Sequence, residues 1–143
     1  IAARQQHQAD QVVFCPGGSV QETGAANFLL IRDGRILTRS LDPSFLHGVT
    51  RDSLLTIAPQ LGFAVEERVF TVDEMLDWVK DGEAALCGTA AVLSGVGALV
   101  REGGREYKVG SGEVGPNTKR LRKALVSMQR GEIPTPAGWI TRV

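Results

Sequence analysis

Residues 26–38 read ANFLLIRDGRILT, and the fold is most clearly indicated here. The two halves of this stretch, 26–31 and 36–38, are rich in residues that favour strands, and Asp33-Gly34 lies between them. An Asp-Gly pair in this position is the strongest short-range signal for a β-hairpin, because a type I′ turn needs a positive φ at both central residues. The stretch therefore predicts two antiparallel strands joined by a tight turn.

Downstream of this hairpin the apolar residues change to a helical spacing. The pattern predicts a helix from about Thr50 to Gly62, with Gly62 as its C-cap. Pro59 is expected to bend or shorten the end of this helix. Upstream of the hairpin, residues 4–9 are expected to end a helix, and residues 11–15 are a candidate buried strand.

The second half of the chain continues to mix strands with helices. Residues 64–70 are a candidate strand, and Thr71 with Glu74 then fits a capping box that opens a helix. Residues 84–100 are small and apolar with three glycines, which predicts strand, tight loop and strand. A second hairpin is expected over residues 101–109, and Gly115-Pro116 opens a last helix with one apolar face. Without strict βαβ alternation, this order predicts an α+β domain.

Composition excludes several classes of protein. The chain has 143 residues, 43% of them hydrophobic, which predicts one soluble domain. Sixteen basic residues balance sixteen acidic ones, so no basic field attracts nucleic acid or an anionic membrane. No apolar run approaches the roughly 20 residues of a membrane span. Cys15 and Cys87 lie far apart without a CxxC motif, which favours reduced cysteines in a cytoplasmic protein over a zinc site or a disulfide.

Three short segments have the composition of an anion or cofactor site, and each also has a plainer interpretation. Residues 46–52 form a glycine-containing loop that runs into a predicted helix start, where unpaired amides favour a phosphate. Thr50 either adds a hydroxyl donor to such a site or merely caps the helix. Residues 87–91 form a small-residue turn whose amides can bind a phosphate or carboxylate, unless the turn is simply a β-bulge.

The third segment, residues 21–28, places Glu22 just before an apolar strand. A carboxylate that enters a sheet is costly without a cationic or hydrogen-bonding partner, whereas one at an exposed strand end costs nothing. His7 and His47 have no acidic or cysteine partner nearby in sequence, so neither a histidine-based triad nor a metal site is indicated.

The order of these segments is more specific than any one of them. The motifs are Glu22-x-x-x-x-Asn27, Leu46-x-Gly48-Val49-Thr50-Arg51, Val65-Glu66-Glu67-Arg68, Gly88-Thr89-Ala90-Ala91, Gly115-Pro116-x-Thr118 and a tail with Trp139. In this order they resemble the fold-type IV pyridoxal-phosphate enzymes, and among them the branched-chain amino-acid aminotransferases. The resemblance implies the large C-terminal domain of that fold, with a mixed or antiparallel, barrel-like sheet and packed helices. Residues 1–143 would be this single domain, without the N-terminal domain.

The resemblance also implies roles for individual residues. Glu22 would pair with the protonated pyridine nitrogen of pyridoxal 5′-phosphate, which keeps the ring an effective electron sink. The cofactor phosphate would be held by Gly48, Val49, Thr50, Gly88 and Thr89. The amides of Thr89 and Ala90 would face the carboxylate of the amino-acid substrate.

One residue that the family needs is not found in its matching context. These enzymes hold the cofactor through a Schiff-base lysine, which also moves a proton during the reaction. The lysines of this chain are Lys80, Lys108, Lys119 and Lys123. In the family the lysine lies shortly before the segment that residues 1–9 resemble, so this chain is expected to be a fragment that does not catalyse alone.

The resemblance implies transamination of Leu, Ile or Val with 2-oxoglutarate by a cytoplasmic homodimer or higher oligomer, without nucleic-acid or membrane partners and without a metal. The alternatives are a D-amino-acid aminotransferase or an aminodeoxychorismate-lyase-like enzyme of the same fold, and a non-catalytic binding module. Gly115-Pro116-x-Thr118 and Trp139 favour the branched-chain group.

Overall fold

The computed structural model describes residues 2–44 and 46–141. Its helices are α1 (Ala2–Gln6), α2 (Val49–Ile57), α3 (Val72–Trp78) and α4 (Pro116–Gln129), and short 3-10 turns lie at Pro16–Gly18 and Ala58–Leu61. Its strands are β1 (Asn27–Arg32), β2 (Arg35–Thr38), β3 (Ala64–Glu67), β4 (Glu83–Gly88), β5 (Val92–Val96), β6 (Ala98–Val100) and β7 (Glu106–Lys108). The first five strands form one sheet in the order β3-β2-β1-β4-β5, and β6 pairs with β7.

The main sheet is mixed, as predicted for an α+β domain. Strand β1 pairs antiparallel with β2 and β4, β4 pairs antiparallel with β5, and β2 runs parallel to β3. The expectation of a barrel-like sheet is wrong, because β3 and β5 lie at opposite edges and the sheet stays open. Helices cover both faces of the sheet, so neither face encloses a barrel interior.

Strand β1 is buried on both faces, which explains why its sequence is continuously apolar rather than alternating. Leu29 and Ile31 belong to the core cluster that α2 and α4 cover, whereas Phe28 and Leu30 belong to the cluster that α3 covers. All four side chains are at most 1% exposed. Each contributes roughly 1.5–3 kcal/mol by leaving water, so β1 is the centre of the structure.

The structure confirms the local turn and helix-end signals. Asp33 and Gly34 have φ values of 50° and 70°, as a type I′ turn between β1 and β2 requires. Helix α2 gives way to a 3-10 turn that contains Pro59 and ends at Gly62, whose φ is 89°. Helix α4 begins at Pro116, and its buried face carries the predicted apolar residues Leu121, Leu125 and Met128.

The strand predicted over residues 11–15 is not a strand. Only Val13 forms an isolated bridge, with Thr23 as its partner. Pro16 lacks an amide, and the two glycines that follow have positive φ, so the chain turns back immediately. Phe14 then exchanges backbone hydrogen bonds with Gln21 and Glu22, which creates a narrow loop beside β1.

The capping box at α3 is only half formed. The Thr71 hydroxyl accepts a hydrogen bond from the Glu74 amide at 3.2 Å, as predicted. The Glu74 carboxylate does not reach back to Thr71, because it accepts hydrogen bonds from the Arg68 guanidinium instead, one of them at 3.0 Å. A charge-assisted bond of this kind is stronger than a bond to a neutral amide. The strand predicted to Phe70 ends at Glu67, because Glu67 pairs with Thr38, the last residue of β2.

The pKa values of Glu66 and Glu74, the two carboxylates beside Arg68, predict how the free energy of unfolding depends on pH. The Arg35 guanidinium, followed by Arg68, holds the pKa of Glu66 below its ordinary value of 4.5, and Arg68 does the same for the pKa of Glu74. Because these pKa values are lower in the folded protein, the stabilisation is complete above pH 4.5 and is lost as the pH falls through the lowered values. Arg68→Gln is expected to reduce the unfolding free energy at pH 7 by about 0.2–1 kcal/mol per pair lost, since the groups are partly exposed.

The measurement is urea unfolding of both proteins at several pH values between about 3 and 7. The difference between wild type and Arg68→Gln should shrink as the pH falls. Arg130→Gln removes an exposed pair whose nitrogen-to-oxygen distance is 3.9 Å, so it is the control and should change little. A difference that stays constant with pH for Arg68→Gln would contradict the assignment.

Candidate active site

The three candidate segments meet at one end of the main sheet. Asn27, the first residue of β1, lies opposite Cys87 near the end of β4, so the segment that contains Glu22 and the turn at 88–91 are neighbours. They approach so closely that a Cβ on Gly88 would lie 3.3 Å from the carbonyl oxygen of Ala25. The loop before α2 joins them through Asn27. Segments that are far apart along the chain are thus brought together by strand pairing.

Glu22 is held in place by two donors. The Asn27 amide nitrogen donates to Glu22 Oε2 at 2.9 Å, and the Leu46 backbone amide donates to Glu22 Oε1 at 3.4 Å. The Asn27 amide nitrogen also donates to the Leu46 carbonyl at 3.2 Å. Glu22 is half-buried, so its carboxylate still faces solvent, and these bonds offset the cost of placing it at the strand.

The turn between Glu22 and β1 is also fixed. The Thr23 hydroxyl accepts hydrogen bonds from the amides of Ala25 and Ala26 at 3.3 and 2.9 Å, which closes a tight turn at this point. Thr23 is 3% exposed. Threonine is common in turns of this kind, because its hydroxyl can hydrogen-bond to the backbone of nearby residues.

Gly48 packs directly against Asn27. A Cβ at position 48 would lie 2.5 Å from Asn27 Oδ1, which is closer than real Cβ contacts come. The backbone of Gly48 has φ −68° and ψ 125°, which any residue can adopt, so only space demands glycine here. The glycine predicted to approach a phosphate is therefore first of all the residue that lets the α2 loop contact β1.

The N-terminus of α2 differs from those of α3 and α4. Thr71 caps α3, and Glu83 accepts hydrogen bonds from the amides of Asn117 and Thr118 in the first turn of α4 at 3.1 and 2.9 Å. Within residues 2–44 and 46–141, no side chain accepts from the amides of residues 49–51 in α2. These amides and the half-buried Thr50 hydroxyl can therefore receive an anion with several acceptor oxygens, such as a phosphate.

The turn that joins β4 to β5 presents its backbone to solvent. Thr89, Ala90 and Ala91 are exposed, and Gly88 pairs with Val92 across the hairpin. Val92 has a φ of 62°, which is rare for a β-branched residue and costs on the order of 1–3 kcal/mol. The chain thus holds this turn in a strained, tight form that carries small side chains.

Arg39 and Arg51 line a small cavity beside Glu22 and Asn27. A sequence motif includes Arg51, but neither arginine is given a role from the sequence, because no sequence pattern marks their contacts. Arg51 is 3% exposed and donates to the Arg39 carbonyl at 3.0 Å and to Glu67 at 2.7 Å, which ties α2 to β2 and β3. The cavity has a volume of about 10 Å³. This volume suffices for about one water molecule.

Cys87, which pairs with Asn27, does not act as a reactive thiol in this site. Burial raises the pKa of the Cys87 thiol to about 12, so it stays protonated at neutral pH. In the part of the chain that the structure describes, no group of three or more His, Cys, Asp or Glu could hold a metal. The same part has no helix that is long and apolar enough to pass through a membrane.

Comparisons with known proteins show which family the chain belongs to. Residues 2–99 match the family described as amino-transferase class IV. The chain is 42% identical over 127 residues to a probable branched-chain-amino-acid aminotransferase of Streptomyces coelicolor, covering 85% of this chain and 34% of that protein. It is 40% identical over 144 residues to the branched-chain-amino-acid aminotransferase of Mycobacterium tuberculosis, covering 94% of this chain and 39% of that protein.

Solved structures show the same likeness. The branched-chain amino acid aminotransferase of Escherichia coli has a TM-score of 0.83 and 28% identity, covering 96% of this chain and 43% of that chain. The branched-chain amino acid aminotransferase of Thermobaculum terrenum, solved in its PLP-bound holo form, has a TM-score of 0.79 and 27% identity, covering 92% of this chain and 41% of that chain.

The fold and these comparisons thus define a chain of the fold-type IV kind. The chain belongs to the amino-transferase class IV family. It spans a little over a third of the length of the two curated relatives named above.

The contact between Gly48 and Asn27 predicts the effect of a single methyl group. Gly48→Ala is expected to lower the unfolding free energy by about 1–3 kcal/mol, because the added Cβ overlaps Asn27 Oδ1 and Asn27 is held by two hydrogen bonds. Gly24→Ala is the matched control, since its Cβ would meet only Phe14 at 3.9 Å. Urea unfolding of both variants tests this, and equal stabilities would show that the α2 loop does not pack on β1 as described.

Proposed function

We propose that this site binds pyridoxal phosphate and belongs to an aminotransferase that transfers the amino group of Leu, Ile or Val to 2-oxoglutarate, forming Glu. The observation that carries the proposal is the meeting of a held carboxylate, an uncapped helix N-terminus and an exposed small-residue turn at one end of the sheet. The named relatives support the substrate class. In this proposal, residues 1–143 are the cofactor-holding part of the enzyme.

The phosphate of the cofactor would lie at the start of α2. The amides of Val49 and Thr50 and the Thr50 hydroxyl would be the donors, together with Gly48, the N-cap residue of α2. No side chain of the described residues competes for these amides, so an entering phosphate displaces only water. Gly88 and Thr89 would complete the phosphate contacts from the neighbouring turn.

Glu22 would face the pyridine nitrogen. Its two oxygens already accept hydrogen bonds from Asn27 and Leu46, which fixes the direction of the carboxylate. An ionised carboxylate at this place keeps a proton on the ring nitrogen. When bound, the protonated cofactor withdraws electrons from the substrate Cα–H bond.

The substrate carboxylate would be oriented by the β4–β5 turn. Thr89 and Ala90 are exposed residues in a turn without bulky side chains, and their amides would hold the carboxylate without an arginine. The rim of the site also carries two exposed apolar residues, Leu46 (76% exposed) and Val49 (82% exposed). Exposed apolar groups at this rim support the proposal that the enzyme works as a homodimer or higher oligomer, and the two free cysteines support a cytoplasmic location.

Removal of the Glu22 carboxylate tests its role. In the full gene product that carries this chain, Glu22→Ala is expected to lower kcat for transamination of leucine by at least about 100-fold, while pyridoxal phosphate affinity falls much less. The reason is that ring-nitrogen protonation is lost while the phosphate contacts at α2 remain. Steady-state kinetics and cofactor titration measure the two effects.

The control is Glu102→Gln in the exposed β6–β7 loop, which should be neutral. Full activity of Glu22→Ala would remove this residue from the mechanism. A substrate panel with D-alanine and aminodeoxychorismate compares the branched-chain assignment with the two related activities. A wild-type gene product that binds the cofactor but acts on none of these substrates would support the non-catalytic alternative.

The lysines give a second test. Lys80 and Lys108 lie toward the opposite end of the main sheet, and Lys119 and Lys123 lie on the exposed face of α4. Treatment of residues 1–143 with pyridoxal phosphate and borohydride is therefore expected to label no lysine selectively. Peptide mass spectrometry would reveal the opposite result, a stoichiometric adduct on one lysine, which would contradict this part of the proposal.

A further inference from the structure

Asn27 lies where the Glu22 segment meets the loop before α2. The sequence motif includes Asn27 but assigns it no role. Its side chain is 7% exposed, and its backbone is fixed by pairing with Cys87. Its amide nitrogen donates both to Glu22 Oε2 and to the Leu46 carbonyl. Its oxygen lies against Gly48. A single side chain therefore contacts the carboxylate and two points of the loop that leads into α2.

We propose that Asn27 is a positioning residue, which holds Glu22 in its place and away from the N-terminal amides of α2. This inference rests on the proposed function, because it assigns those amides to the cofactor phosphate and Glu22 to the ring nitrogen. The role of Asn27 explains why the Glu22 carboxylate stays apart from the α2 amides that would bind the phosphate. Without a restraint, a carboxylate close to a helix N-terminus is attracted to that helix.

The other end of the sheet shows what happens when such a restraint is missing. Glu83, at the start of β4, accepts from the Asn117 side chain at 2.7 Å and also from the amides of Asn117 and Thr118. There the carboxylate caps α4 and fills its N-terminal site. Glu22 accepts instead from the Leu46 amide, which precedes α2, so its Asn27 partner leaves the α2 amides uncapped.

Among the described residues, two arginines line the small cavity beside Asn27 together with Glu22. They are Arg39, which follows β2, and Arg51, on α2. The Arg39 guanidinium forms an ion pair with Asp42, and the Arg51 guanidinium forms one with Glu67. His47 lies in the loop itself and is unchanged in every variant below.

The experiment replaces the donor by a group that donates only when protonated. In the full gene product, Asn27→Asp is nearly isosteric and places a carboxyl group 2.9 Å from Glu22 Oε2. Two carboxyl groups at this distance share one proton. While the proton is present, the introduced group still donates to Glu22, although its single O–H cannot also donate to the Leu46 carbonyl. As the pH rises and the proton is lost, repulsion drives the two groups apart.

We expect kcat/KM of Asn27→Asp to approach that of wild type at low pH and to fall by up to about 100-fold as the pH rises. Asn27→Ala should be impaired at every pH and should bind inorganic phosphate more weakly, because Glu22 is released toward α2. The protonation of the ring nitrogen, followed by NMR with nitrogen-labelled pyridoxal phosphate, should show the same transition in Asn27→Asp alone.

Asn117→Asp is the matched control, since Asn117 is the other asparagine of the chain and also donates to a glutamate. It should lower the melting temperature but add no titration to kcat/KM or to the NMR signal. If wild type transaminates and Asn27→Asp follows the wild-type pH profile, the positioning role is wrong while the proposed function stands. If wild type neither binds the cofactor nor transaminates, the proposed function itself fails.

Discussion

The burial of strand β1 on both of its faces is the constraint on which the rest of the structure depends. Its four apolar side chains divide between the two core clusters, so α2 and α4 pack on one side and α3 on the other. Strand β1 is also the middle strand of the sheet, with β2 and β4 as its partners. Its first residue, Asn27, therefore emerges from the best-packed part of the molecule.

A fixed position at Asn27 is what a cofactor site needs. The Glu22 carboxylate and the loop before α2 are each tied to β1 through the one amide group of Asn27. Arg51 adds a second tie beneath the loop by bonding α2 to β2 and β3. Groups proposed to bind opposite ends of one small ligand are thereby kept at a constant separation, as pre-organised binding requires.

Local signals in the sequence were informative where a few adjacent residues determine a structure. The Asp33-Gly34 turn and the end of α2 at Gly62 follow from backbone preferences that act within one turn. The open sheet did not follow, because it depends on which distant strands pair, and half of the capping box failed because a distant arginine bound Glu74. The same holds for the candidate site. In the sequence, a glycine before a helix indicates a phosphate site. Only the structure shows that Asn27 leaves no space for a side chain at Gly48.

The chain has two Asn–Glu pairs, Asn27–Glu22 and Asn117–Glu83, and the two glutamates differ in whether they cap a helix. At Glu83 the carboxylate is free to approach α4, and it caps the helix. At Glu22 the carboxylate is held between Asn27 and the Leu46 amide, so the start of α2 keeps its unpaired donors. The N-terminal amides of α2 thus remain available to an anion. A ligand that carries an anion at one end and a protonated nitrogen at the other satisfies both groups at once.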